Sequence, residues 1–394
     1  MKKLNTILQT AHDNTDSKDS NIEFKKNDFD ILIKYLQNDN QIIQQFDKIM
    51  MNSGKGFSSI GLDDLAKWLL IHSYKTNIEE TISSLKNYLN SSYMEGYIVF
   101  AISGLYLQNK FKITDTIDLI PFDDLPPSNM KEELSPEILK QGLMFISPSV
   151  TNYKPPKATL IKKIKIKPKY YSKKEDKTNE NFDISDLMEL CMFLTIHDKA
   201  TPINSITWVE LERNVPCKNK LENSISFPSY VDTAKNDVAF YHWAEYEKLY
   251  KQFLELDKKD KKHLLIPLQR LNMARQRNND VDKAIDQGIA IEALFLNDNS
   301  GGGTNSYLLN LRAAHFLGKD IKERKELFDT FKAIYSCRSA AVHSGSLHEI
   351  EKRIKKNPLK IDELLNLADE LCIEAIKKII ENGGFPDWDN IIFS

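Results

Sequence analysis

The sequence predicts an α+β protein, mostly α, in which a C-terminal helical bundle follows a mixed α/β N-terminal region. Three observations predict it. From Asp237 onward, apolar residues recur at helical spacing almost to the end of the chain. From Tyr93 to about residue 235, segments rich in β-branched and aromatic residues alternate with Pro- and Asp-containing breaks. With 394 residues, 41% of them hydrophobic and 28% charged, the chain is long enough for two domains and a sizeable core.

In chain order, residues 1–20 read as a polar tail, with Asp, Asn and Ser crowding Asp13 to Asp19. Residues 21–92 form an N-terminal helical segment. Its spacing runs through Phe29, Ile33 and Leu36, then Ile42, Ile43, Phe46 and Ile49, as far as Met51. The loop Asn52-Ser-Gly-Lys-Gly-Phe-Ser-Ser59 contains a Gly-Lys pair but lacks the spacing of a phosphate loop. Two more helices fill 62–90, with Asn77 as N-cap of the second. Residues 93–235 read as a mixed α/β region with a regulatory or sensing role. Its strand candidates are Tyr97–Tyr106, Ile113–Ile120, Ala158–Ile166 and Ile203–Val209. A helix is expected at 183–197, where Leu187, Leu190, Cys191 and Leu194 share a period, and an exposed loop at 172–182. Residues 236–394 form the bundle, with helices at about 237–256, 258–277, 280–297, 305–317, 320–343 and 360–382. Asp320-Ile-Lys-Glu323 has the shape of a capping box, and Gly383-Gly-Phe-Pro ends the last long helix.

Composition narrows the function classes. A net charge of −2 shows no global basic excess, so nucleic acid must be met by a local patch. The densest basic run is Lys162 to Lys174. Strand alternation puts Lys163, Lys165 and Lys167 on one face, with Tyr170 and Tyr171 available to stack on bases. The competing reading is an edge strand that its lysines keep from aggregating. The four cysteines are scattered without a CxxC pair, and the histidines show no ligand spacing. No metal or other cofactor is therefore expected. There is no apolar signal segment and no run long enough for a membrane helix, so the expected location is cytoplasmic, with no membrane partner.

The chemistry concentrates at Arg338-Ser-Ala-Ala-Val-His343. RNA carries its own nucleophile, the 2′-OH beside each phosphate. A catalyst need only remove that proton, stabilise the charged phosphorane and protonate the 5′-oxygen. Histidine suits the proton transfers, because its ordinary pKa lies near working pH. Arginine suits the phosphate, because its planar fork binds two oxygens and stays charged. Five residues of helix turn through about 500°, so Arg338 and His343 stand roughly 140° apart on a straight helix. Either the helix frays near Ser344-Gly345, or the site takes groups from another chain. Around this pair, Glu292 falls on the apolar stripe of Ile285, Ile289 and Leu296 and needs a cationic partner, Arg312 or Arg338. Tyr335, one turn before Arg338, either orients it, stacks on a base, or packs in the core. Ser339 is the adjoining polar group.

Four pieces in order resemble the HEPN superfamily, and within it the ApeA-like branch of bacterial anti-phage proteins. They are Leu268-Gln-Arg-Leu-Asn-Met-Ala-Arg275, Asp282 to Leu294, Leu311-Arg-Ala-Ala-His-Phe-Leu-Gly318 and Tyr335 to Gly345. The resemblance covers about 240–384 and, more faintly, 93–240. It implies a metal-independent endoribonuclease with Arg338 and His343 as catalytic residues, supported by Ser339, Tyr335, Glu292 and Arg312. It also implies products with a 2′,3′-cyclic phosphate, and a homodimer or higher homo-oligomer whose paired Arg/His sets line one cleft. The implied partners are RNA, with tRNA among the candidate substrates, and a phage-derived trigger, in anti-phage defence, abortive infection or a toxin-like system. The alternative is a non-catalytic HEPN module that dimerises and holds RNA or a nucleotide.

Overall fold

The structure, a computed structural model, describes residues 2–15, 24–46, 49–52, 57–134, 156–166, 183–212, 215–218, 224–226, 236–298, 305–347 and 360–393. The chain is α+β and mostly α. Its first element corrects the expected polar tail: Lys2–Asp13 is a helix, α1, with Leu4, Leu8 and Ala11 fully buried. That i, i+4, i+7 spacing is a short apolar stripe inside a polar sequence. It packs on α2 (Lys26–Leu36), α4 (Leu62–Lys75) and α5 (Ile78–Asn90). The helical spacing read from Phe24 to Met51 ends earlier. After α3 (Asn40–Phe46), the strands β1 (Ile49–Asn52) and β2 (Phe57–Ile60) form a hairpin. Asn77 caps α5, its side chain accepting from the Glu80 amide at 2.7 Å.

Strand β3 (Met94–Ser103) is the sheet's spine. It pairs with β7 (Ala158–Ile166) on one side and β8 (Ile203–Leu211) on the other, both antiparallel. The sheet continues outward through β6 (Ile117–Pro121) to β5 (Phe111–Lys112) and, beyond β8, to β9 (Ser224–Ser226). Burial on both faces explains the unbroken apolar run Ile98–Ile102. Ile98, Phe100 and Ile102 join the main core, while Val99 and Ala101 join a second cluster with Ile120, Ile206 and Trp208. Strand β7 corrects the edge-strand reading of the lysine run, because it lies between β6 and β3. Lys167, Tyr170 and Tyr171, and the loop expected at 172–182, lie outside the described residues.

The chain crosses to the bundle through two devices. Strand β4 (Leu105–Leu107) pairs in parallel with β10 (Val238–Phe240), so the first bundle helix begins at Ala244 and not at 237. The second device is a turn at 194–202, after the short helix α6 (Asn129–Glu133) and helix α7 (Ser185–Phe193), where Asp198 and Lys199 take positive φ. Helix α9 (Lys258–Gln276) and helix α13 (Ile361–Glu381) clasp this turn. Arg275 donates to the Thr195 and Ala200 carbonyls, each at 2.7 Å, and forms a two-pronged ion pair with Asp369 at 2.9 Å. Asn272 adds a bond to the Pro202 carbonyl at 2.9 Å. The remaining bundle helices are α8 (Ala244–Glu255), α10 (Asp280–Phe295), α11 (Asn305–Leu317), α12 (Ile321–Ser344) and α14 (Trp388–Phe393). One continuous apolar core runs from Leu4 to Trp388.

Candidate active site on helices α10 and α12

Helix α12 carries both motif residues. Asp320 caps it, accepting from the Glu323 amide at 2.9 Å, and Gly345 ends it at φ 62°. The Gly345 amide still reaches the Ala341 carbonyl at 3.2 Å. The helix is therefore intact through His343, and fraying does not bring the imidazole round to Arg338. The two side chains stand roughly 140° apart and about 7.5 Å along the axis.

Arg338 is held from three directions. Its Nη2 pairs with Glu292 Oε2 on α10 at 3.2 Å. Its guanidinium lies over the Tyr335 ring, 5.7 Å from the centroid. Its stem rests on Gly288 of α10, where a Cβ would overlap Arg338 Cγ and stand 2.7 Å from Arg338 Cβ. The Arg338 side chain is 25% exposed, so part of the fork faces solvent, while Nε is buried without a hydrogen-bond partner among the described residues. Burial pushes the Tyr335 phenol above its ordinary value and neighbouring Glu292 adds to this, with Arg338 opposing. Tyr335 is thus a protonated phenol at neutral pH that also packs on the core. Ser339 is half-buried, and His343 is exposed on the last turn.

Arg312 does not share this site. It is 2% exposed, pairs with Asp298 at 2.8 and 3.0 Å, donates to the Phe295 carbonyl at 2.9 Å and faces the Trp388 ring. Its place is structural, just beyond Glu292 where α10 ends, and Glu292's cation is Arg338. The lysines lie elsewhere again. Lys163 and Lys165 are exposed on β7, in register with Tyr97 and Glu95 of β3. Lys165 is already engaged by Glu95 at 3.1 Å and by the Tyr93 ring.

No family model, no curated protein and no solved structure matches the chain.

Sequence reasoning missed two features. The first is Gly288, whose signal is a glycine in the middle of an apolar helix, a placement that costs about 1 kcal/mol against alanine. The second is a stripe at seven-residue spacing along α12: Ile321, Phe328, Tyr335 and Val342. Seven residues turn through about 700°, so the four share one face. Ile321 is 72% exposed and Val342 48%. Measured from Tyr335, Arg338 lies about 60° to one side and His343 about 80° to the other. The stripe divides the two motif residues. Among the described residues, no group of three or more His, Cys, Asp or Glu side chains is placed to hold a metal, and no helix is long and apolar enough to cross a membrane. The four cysteines are buried; burial raises the Cys337 thiol to about 11 and the Cys191 thiol to about 12, which makes them poor nucleophiles.

Proposed function

We propose that the chain is a HEPN-type, metal-independent endoribonuclease that works as a homodimer, as an effector of anti-phage defence or of a toxin-like system. The observation that carries the reading is the mounting of Arg338. It is a partly exposed arginine fork fixed by Glu292, Tyr335 and Gly288, on the same intact helix as an exposed histidine. His343 takes the 2′-OH proton, and Arg338 stabilises the phosphorane. His343 of the partner subunit is the source of the proton for the departing 5′-oxygen. Such a step yields a 2′,3′-cyclic phosphate and needs no cofactor. The apolar stripe supports the dimer, because a second chain packed along it would stand between Arg338 on one flank and His343 on the other. A cytoplasmic site of action and a phage-derived trigger belong to the same proposal.

The test is cleavage of total RNA and tRNA by the purified protein with EDTA present. His343→Ala and Arg338→Ala should each lower the rate by about a hundredfold or more. Equal cleavage by wild type and His343→Ala overturns the catalytic reading, and so does an absence of cleavage under every trigger tried. One observation favours a second reading, a non-catalytic module that holds RNA or a nucleotide. The Glu292 carboxylate neutralises the fork that would meet phosphate. That reading expects RNA retention unaffected by His343→Ala.

A further inference from the structure

The sheet face turned away from the main core carries a cavity of about 1050 Å³. Its floor is Tyr97 and Val99 of β3, Ile120 of β6 and Ile161 of β7. Two ion pairs close its sides: Lys110–Asp118 at 2.9 Å and Lys218–Glu210 at 3.2 Å. These lysines and carboxylates neutralise one another. Lys163 also lines the cavity, and among the described residues its ammonium has no ion-pair partner. It stands in one cross-strand row with Tyr97 and Glu210, so it flanks the Tyr97 ring at cross-strand distance, about 5 Å between Cβ atoms. The remaining lining carboxylates, Asp124 and Glu212, are exposed to solvent, as Lys163 is.

We propose that this cavity binds a small planar aromatic molecule bearing one negative charge. A pleated sheet offers a flat apolar floor, which suits a planar body. The aromatic ring of Tyr97 gives that body a stacking partner. Among the described residues Lys163 is the lining cation without an ion-pair partner, and beside that ring it suits a single anionic group. The volume is that of a small-molecule site, not of a polypeptide groove. The site lies on the sheet and not on α10 or α12, so it is independent of the ribonuclease reading. Binding there would fit the regulatory or sensing role expected of residues 93–235.

The experiment is a fluorescence titration of the full chain with anilinonaphthalene sulfonate, an aromatic monoanion, beside ethidium, an aromatic monocation. The expected result is saturable binding of one sulfonate probe per chain. Lys163→Glu should weaken it about tenfold or more, the worth of a charge-assisted bond, with an unchanged melting temperature. Lys163 is exposed on its strand, so the variant folds. Ile161→Trp, which fills the floor, should abolish binding, and Val342→Glu, which alters the exposed stripe on α12, should leave it unchanged. The proposal is overturned if probe binding does not saturate, if Lys163→Glu has no effect, if Val342→Glu removes it, or if ethidium binds more tightly. None of these outcomes depends on RNA cleavage.

Discussion

At the scale of single residues, the mounting of Arg338 turns on Gly288. A glycine inside a helix is unfavourable by about 1 kcal/mol relative to alanine, yet here an added Cβ would collide with the arginine stem. Gly288→Ala should therefore lose stability through overpacking, by about 1–3 kcal/mol, instead of gaining from helix propensity. It should also move Arg338 off Glu292. A thermal melt and a cleavage assay check this together. Stability falls, any RNA cleavage falls with it, and in an Arg338→Ala background Gly288→Ala has little further effect on cleavage. A higher melting temperature with full activity would show that Arg338 is not seated there. The positions of Arg338 and His343 on one helix were legible in sequence, because helical spacing is local. Gly288 was not, because its role exists only where α12 crosses α10. The choice between Arg312 and Arg338 as partner of Glu292 was open for the same reason: both are cations on other bundle helices, and only packing sends Arg312 to Asp298.

At the scale of elements, α1 shows how a polar segment can be structural. Three buried apolar residues in twelve suffice when α2, α4 and α5 together receive them. His12 on this helix bonds Ser73 Oγ at 2.9 Å and meets the Tyr74 ring edge-on. Burial holds its imidazole below the ordinary value of 6.5, with Asp13 opposing. The unfolded chain therefore takes up this proton first. The stability His12 contributes is present above about pH 6.5 and is lost as pH falls through the folded value. Melting temperatures between pH 7.5 and 5.5 should thus decline, and His12→Gln should flatten the decline by the His12 share. An identical pH profile in the variant would remove His12 from the account. Strand β7 carries the complementary lesson. Its lysines fit an edge strand by composition, but its pairing with both β6 and β3 is a long-range fact.

At the scale of the whole molecule, sheet and bundle are joined by the β4–β10 pair and by the Arg275–Asp369 clasp on the 194–202 turn. Removing one member of so buried a pair costs about 3–5 kcal/mol, because the other charge is left unpaired. A strong joint of this kind is what an input on the sheet would need to reach α9 and its neighbour α10. The stripe Ile321, Phe328, Tyr335 and Val342 is the surface on which the proposed dimer depends. Val342→Glu should shift the protein toward monomer in light scattering and lower RNA cleavage, while leaving the fold intact, since the side chain is 48% exposed. An unchanged mass for a dimeric wild type would place the interface elsewhere.

By itself the sequence determined the fold class, the long bundle helices after the first to within a few residues, the caps at Asn77 and Asp320, and the stop at Gly383. These follow from hydrogen bonds and periodicities that close within four or five residues. It also displayed the Arg338/His343 pair and the angle between them, since helical geometry is local. Tertiary structure alone decided the burial of α1, the interior place of β7, the partner of Glu292 and the notch at Gly288. It also decided that an apolar floor and Lys163 meet on one face of the sheet. Each of these is a contact between residues far apart in sequence, and its energy depends on which surfaces the core brings together.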